Sequence, residues 1–350
     1  MIGDRIKQAR ISAGLSLRGL ADISGNYVSA QVIHKYELGK STPGSDVLTE
    51  LAKALGVKVE YFFRPDSVRV TLSEPAYRKH VAASSRNLQS MRGKAREWVE
   101  KYLEVESLFP ENRFPQIKLP HEEDRIIGVM SDVETLAVSL RRLWKLGLDP
   151  IENLTEALED QGVKVVILEG KKDFDGLSCW ANERIPVILI KAGLPGDRQR
   201  SNLAHELGHL IMKVSRNVDE EKAAYRFSGA FLVPADMVYR ELGKQRNRID
   251  IGELLMLKKK YSMSMQQWIY RAKDLSIISE SQASSLFRIF RASGWNRNEP
   301  GEEIPPEAPG RFRRLLLQAV TERLVSPVRA AEILGKPFDE FRKSLQVEFA

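Results

Sequence analysis

The sequence predicts a mainly α-helical chain carrying one small α+β domain. Three observations lead there. Apolar residues recur at helical spacing in segment after segment, many closed by glycine. Short runs rich in Val, Ile and Leu cluster between residues 163 and 190, and His205-Glu206-Leu207-Gly208-His209 follows them at helical spacing. At 350 residues the chain is too long for one typical core and points to two or three domains.

Residues 1–63 read as five short helices. Ile2, Ile6 and Ala9 start an amphipathic helix ended by Gly14. A second runs from about Ser16, with Leu17, Leu20 and Ala21 inward, to Gly25. Ser29 caps a third, carrying Val32, Ile33 and Tyr36 and stopped by Gly39. The loop at 41–44 leads to a fourth with Leu48, Leu51, Ala52 and Leu55, and Val59, Tyr61, Phe62 and Phe63 close the core of a domain spanning 1–65. Residues 66–129 read as a basic helical linker region. From 77 to 102, Arg78, Lys79, Arg86, Arg92, Lys94, Arg96 and Lys101 outnumber Glu97 and Glu100, the pattern of a solvated basic helix first and a DNA-backbone contact second.

A domain over 130–295 follows. Val133, Leu136, Ala137, Leu140, Leu143 and Trp144 form one helix face between 132 and 147. A helix over 151–161 precedes a strand at 163–168, and further strands fall near 177–181 and 186–190. Asp197, after Pro195-Gly196, suits the N-cap of the helix bearing the two histidines, whose Leu203, Leu207, Leu210 and Ile211 form an apolar stripe. Two more helices carry Ile249 to Tyr261 and Met265 to Ala272. Residues 296–310, rich in Pro, Glu and Gly, read as a linker, and 311–350 as a final helical element with Phe312, Leu315, Leu316 and Val320 inward.

Composition narrows the function classes. Without an apolar run of about 18 residues or an apolar leader, the chain is expected to be soluble and cytoplasmic, with no membrane partner. One cysteine, Cys179, allows no intrachain disulfide and no Cys-rich metal site. A net charge of +7 favours acidic partners such as nucleic acid.

The chemistry concentrates at 205–209. Residues at i and i+4 share a helix face, so His205 and His209 can reach one Zn²⁺ while Glu206 stays free to take a proton from an activated water. The chain has five histidines, which makes a chance occurrence of this spacing rare. A hydrolytic zinc site needs a third protein ligand and an open position.

Two resemblances extend this reading. A helix, a turn with glycine and a second helix form a DNA-reading arrangement. Val28 to Lys40 (VSAQVIHKYELGK) resembles the XRE family of phage-repressor-like regulators. That resemblance implies that Ser29, Ala30, Gln31, His34 and Lys35 face an operator in double-stranded DNA, Gln31 suiting adenine and Lys35 guanine or phosphate. Leu17 stands where the family commonly has Gln. The segments Asp175 to Ser178, Asp197 to Arg200, Leu203 to Leu210 and Glu221 to Pro234 (EKAAYRFSGAFLVP) are together similar to the ImmA/IrrE metallopeptidases. This second resemblance implies a zincin-like domain, Glu221 as the third ligand with Glu220 and Asp219 as alternatives, and Glu206 as the catalytic base. It also implies a protein substrate, an XRE-type repressor or the chain itself. Ala223 and Tyr225 depart from the family pattern. Arg226, Arg198 and Tyr225 are the nearby candidates for steadying an oxyanion.

Two functional readings result. One is a DNA-binding regulator, possible as a homodimer, whose zinc-dependent endopeptidase relieves repression, with self-cleavage expected between Pro65 and Glu74. The other is a non-catalytic repressor or antitoxin whose zinc domain senses a signal or mediates protein interaction.

Overall fold

The computed structural model describes residues 2–63, 70–74, 85–110, 113–169 and 174–347. Arg78 and Lys79 of the basic run, the side chain of Arg86, and residues 65–69 of the expected cleavage segment lie outside the described residues.

Four helices and a 3-10 turn build the N-terminal module: α1 (Ile2–Ser12), α2 (Leu17–Ile23), α3 (Ala30–Glu37), α4 (Ser45–Leu55) and the turn Val59–Phe63. Ser16 and Ser29 cap α2 and α3, accepting from Gly19 N at 2.9 Å and Val32 N at 3.4 Å. Ile6, Leu20, Ile33, Leu51 and Phe62 fill the core. Two expectations are corrected. The fifth element is a 3-10 turn, and Phe63 is exposed, so Tyr61 and Phe62 close the core without it. Arg10 grips the buried Glu37 through two hydrogen bonds of 2.6 and 2.9 Å, fixing α3 against α1.

Helix α5 (Ser85–Glu106) is the hub of the molecule. Met91, Ala95, Val99, Tyr102 and Val105 form a stripe of buried residues. The first three pack on one sheet face, and Tyr102 and Val105 join the C-terminal helices. Along much of its length α5 meets α1, where Ser90 Oγ donates to Ser12 O at 2.6 Å and Arg5 pairs with Glu100 at 2.9 Å. The basic residues of this stretch are largely engaged within the chain. Arg92 bridges Glu74 and the carbonyls of Leu72 and Ser73, while Arg96 and Lys101 pair with Glu100 and Glu97; Lys94 is exposed. The segment is helical, as its pattern indicates, but an apolar face anchors it.

After β1 (Ile126–Ile127), α6 (Asp132–Leu143) and α7 (Leu154–Asp160) lead to a three-stranded sheet of β2 (Lys164–Leu168), β3 (Gly176–Ala181) and β4 (Ile185–Lys191). The order is β2-β4-β3, with β2 parallel and β3 antiparallel to β4. Both faces are covered, which explains runs without polar alternation. Val165, Ile188 and Ile190 face the helical core, and Val166, Leu177, Cys179, Val187 and Leu189 face α5. On the outer edge of β3, Ser73 N donates to Trp180 O and Asn182 N to Thr71 O, each at 2.8 Å. Leu143 is an exception to the expected face of α6: it is exposed, and Trp144 turns in at the helix end to donate to Lys118 O at 2.8 Å.

Helix α8 (Gly196–Ile211) crosses the sheet and, after β5 (Lys213–Val214) pairs with β1, packs against α9 (Glu220–Leu232). Helices α10 (Ala235–Leu242), α11 (Ile251–Tyr261), α12 (Met265–Asp274) and α13 (Glu280–Ala292) complete this layer. Pro195, not Asp197, occupies the N-cap of α8. Asp197 is buried in the first turn and pairs with Lys258 at 3.0 Å. The stretch read as a linker at 296–310 is pinned down. Glu299 accepts from Met265 N, Gln266 N and Lys258, while Glu307 accepts from Leu154 N and Thr155 N at the start of α7 and pairs with buried Arg200. The final region is three helices, α14 (Arg311–Thr321), α15 (Pro327–Leu334) and α16 (Phe338–Val347), docked on α5 through Phe312, which stacks on Tyr102 at 5.4 Å.

Candidate metal centre and DNA-facing helix

Helix geometry brings the two imidazoles together, with Nε2 of His205 and Nε2 of His209 3.0 Å apart. Glu221, in the first turn of α9, completes a triangle: Oε2 lies 3.5 Å from His205 Nε2 and Oε1 lies 3.5 Å from His209 Nε2. A tetrahedral ion with bonds of 2.0–2.1 Å holds its ligands about 3.3 Å apart, so these donors already sit at coordination spacing. No other group of three His, Cys, Asp or Glu among the described residues converges this way. The donor set, two imidazoles and a carboxylate, fits zinc.

The structure separates Glu221 from its alternatives. Asp219 caps α9, accepting from Lys222 N at 3.0 Å. Glu220 lies on the other side of His209, its carboxylate 3.5 Å from Nδ1 without closing a hydrogen bond. The approach of α8 to α9 depends on Gly208, because a Cβ there would meet the Phe227 ring at 3.0 Å.

Glu206, the residue after His205 on α8, faces β3. A Cβ on Gly176 would lie 3.0 Å from Glu206 Oε1, so glycine at that strand position makes room for the carboxyl. Burial pushes the Glu206 pKa up to about 7, with His209 opposing and Glu221 adding to the rise. Ser178 Oγ faces the same carboxyl without closing a full hydrogen bond, a further opposing influence. The His205 pKa falls to about 4 through burial and the neighbouring His209, while Glu221 opposes. Burial also acts against a charge on His209, but Glu221, Glu206 and Glu220 outweigh it and its pKa rises. Two rings 3.0 Å apart cannot both be protonated, so His205 is the neutral, ligand-ready partner. Buried Cys179, its thiol pushed up to about 12 by burial, is an inert strand residue.

The three oxyanion candidates part company. Arg226 is turned away, held by Glu134 at 3.1 Å and by Asp274 O at 3.3 Å. Arg198 sits at the mouth in an exposed pair with Asp175 at 3.5 Å. Tyr225 lies against the metal site itself, its ring centroid 4.4 Å from that of His205.

In the N-terminal module Ser29, Gln31, His34 and Lys35 are exposed along α3 and Ala30 is half-buried, whereas Ile33 and Glu37 point inward. The second helix therefore presents one solvent-facing polar side, free of intramolecular ion pairs among the described residues. The resemblance took in Gly176 and Ser178 without giving either a role, and sequence reasoning did not place Glu220 beside His209. The first two sit on a strand about 30 positions away, and no local spacing announces such partners.

Comparison with known proteins matches both modules. Residues 6–62 match the helix-turn-helix family model, and residues 158–273 match the IrrE N-terminal-like domain of the M78 peptidases. The chain is similar to the SPbeta prophage-derived uncharacterized HTH-type transcriptional regulator YonR of Bacillus subtilis, 35% identical over 74 residues, which cover 21% of this chain and 67% of that protein. It is also similar to an uncharacterized transcriptional regulator in the ATPase CF(0) region of Rhodospirillum rubrum, 40% identical over 62 residues, 18% of this chain and 56% of that protein. The chain belongs to the XRE-type helix-turn-helix regulators and carries an IrrE-like M78 domain. None of its helices among the described residues is long and apolar enough to cross a membrane.

Proposed function

We propose that this chain is a regulator that reads an operator with α3 and relieves repression through a zinc-dependent endopeptidase, cutting an XRE-type repressor or itself. The observation that carries the catalytic half is Glu206: a carboxyl one residue from a ligand, buried, and raised to about 7, beside three converging donors. A purely structural metal site has no use for such a group.

Zinc held by His205, His209 and Glu221 would supply Lewis acidity, acidifying water and polarising a peptide carbonyl. Glu206 takes the proton of the attacking water on its carboxylate and passes it to the leaving amine nitrogen. With a pKa near neutrality it is suited to both transfers. Glu220, 3.5 Å from His209 Nδ1, is placed to orient that ring once it donates to the carboxylate.

Residues 70–74 make a poor scissile segment in this arrangement. Val70 is buried, and Thr71 and Ser73 are hydrogen-bonded to β3 beside Trp180 and Asn182, away from Gly176. This favours a substrate supplied from elsewhere, in the first instance a partner repressor. The test is incubation of zinc-loaded wild type and Glu206→Gln, each alone and with XRE-type repressors encoded nearby, with products read by mass spectrometry. A defined cut made by wild type and not by Glu206→Gln is the expected result. Absence of any cut, with zinc bound, would remove the endopeptidase reading.

A further inference from the structure

We propose that Tyr225 is a catalytic residue, its phenol O–H donating a hydrogen bond to the oxyanion that forms as water adds to the scissile carbonyl; this rests on the endopeptidase reading. Tyr225 is one helical turn beyond Glu221 on α9, and residues four apart share a face, so a metal ligand and a phenol project to the same side. Its ring rests on that of His205, centroid to centroid 4.4 Å at a tilt of 51°. Although it touches the site, Tyr225 is 67% exposed, and its hydroxyl has no hydrogen-bond partner among the described residues. A largely exposed tyrosine whose ring rests on a ligand is placed to meet a substrate.

The other donors nearby are worse situated. Arg226 is spent on Glu134 and Asp274 O. Arg198 is seven residues before His205 on α8, about 10 Å back along the helix axis, and faces Asp175. In the step concerned, a C–O bond forms between water and the carbonyl carbon while the C=O π pair moves onto oxygen. The water proton goes to Glu206, and collapse then breaks the C–N bond with that proton delivered to nitrogen. Tyr225 keeps its own proton throughout and contributes charge stabilisation only.

Tyr225→Phe tests the hydroxyl alone, since the ring contact with His205 is retained. Two inhibitors of matched side chains serve as probes on the zinc-loaded full chain. One is a phosphinic peptide, whose tetrahedral oxygen mimics the oxyanion; the other is a mercaptoacyl peptide, which ligates through sulfur and offers none. The expected result is equal zinc content, a phosphinic peptide weakened about 10- to 100-fold in Tyr225→Phe, and an unchanged mercaptoacyl peptide. Equal affinities of wild type and Tyr225→Phe for the phosphinic peptide, or an equal loss for both probes, would overturn the assignment of Tyr225. Failure of zinc-loaded wild type to bind either probe would instead overturn the endopeptidase reading beneath it.

Discussion

Glu206 couples stability to pH in a direction that can be worked out from its burial. Its folded-state pKa, about 7, is above the value near 4.5 of an unhindered glutamate, so the fold favours the protonated form. The contribution is complete below about pH 4.5 and is lost as pH rises through about 7. Metal-free Glu206→Gln should therefore gain stability over wild type mainly at high pH, by at most about 3 kcal/mol at pH 8 and little at pH 5. Urea midpoints of the two proteins at those pH values check this, and a gap independent of pH would mean that Glu206 is not held in its neutral form. The ligands give a separate prediction. Glu221→Ala should lose zinc, Glu206→Gln should keep it, and Glu220→Ala should bind about 10- to 100-fold more weakly, because its carboxylate only orients His209. Metal analysis after dialysis distinguishes the three. Full zinc in Glu221→Ala would break the assignment.

Between elements, the segment from Glu299 to Glu307 behaves as a strap across α8. Gly196 N donates to Ile304 O at 2.7 Å, and Gln199 Nε2 donates to Glu307 O at 2.8 Å. Arg200 is 3% exposed and faces the Glu307 carboxylate, so Glu307→Ala leaves a buried guanidinium without its counter-charge. The expected cost is about 3–5 kcal/mol, and Arg200→Met in the same chain should recover part of it. Thermal or urea unfolding reads both, and a loss under about 1 kcal/mol would show that the strap is dispensable. The composition of 296–310 concealed this, because Pro, Glu and Gly look alike in a free linker and in a strap tied by backbone carbonyls. Helix α5 was half legible. Its stripe of Met91, Ala95, Val99 and Tyr102 was present at helical spacing, but the surrounding Arg and Lys drew attention to charge. By contrast, His205, Glu206 and His209 were readable because their spacing is a property of a single helix. Glu221 was reachable only through resemblance, and the place of Gly176 and Ser178 beside Glu206 only through the fold.

Across the whole molecule, α5 joins the helix-turn-helix module, the M78 domain and the C-terminal helices by direct packing. The two modules are therefore carried on one connected framework. For the DNA-reading function, affinity should fall as salt rises. Gln31→Ala should relax base preference, and Lys35→Ala should weaken binding across sequences, with a shallower salt slope if it meets phosphate. Fluorescence anisotropy on duplexes from the chain's own promoter at several salt concentrations measures this, and unchanged binding after loss of both side chains would exclude α3 as the reading helix. The central claim, that Glu206-dependent proteolysis releases the operator, is tested most directly by one time course. Operator occupancy is followed by gel shift with the partner repressor present and zinc loaded, for wild type and Glu206→Gln in parallel. Wild type is expected to clear the operator as the cleavage product appears, while Glu206→Gln leaves it occupied; equal loss of occupancy in both would rule out Glu206-dependent proteolysis as the release step.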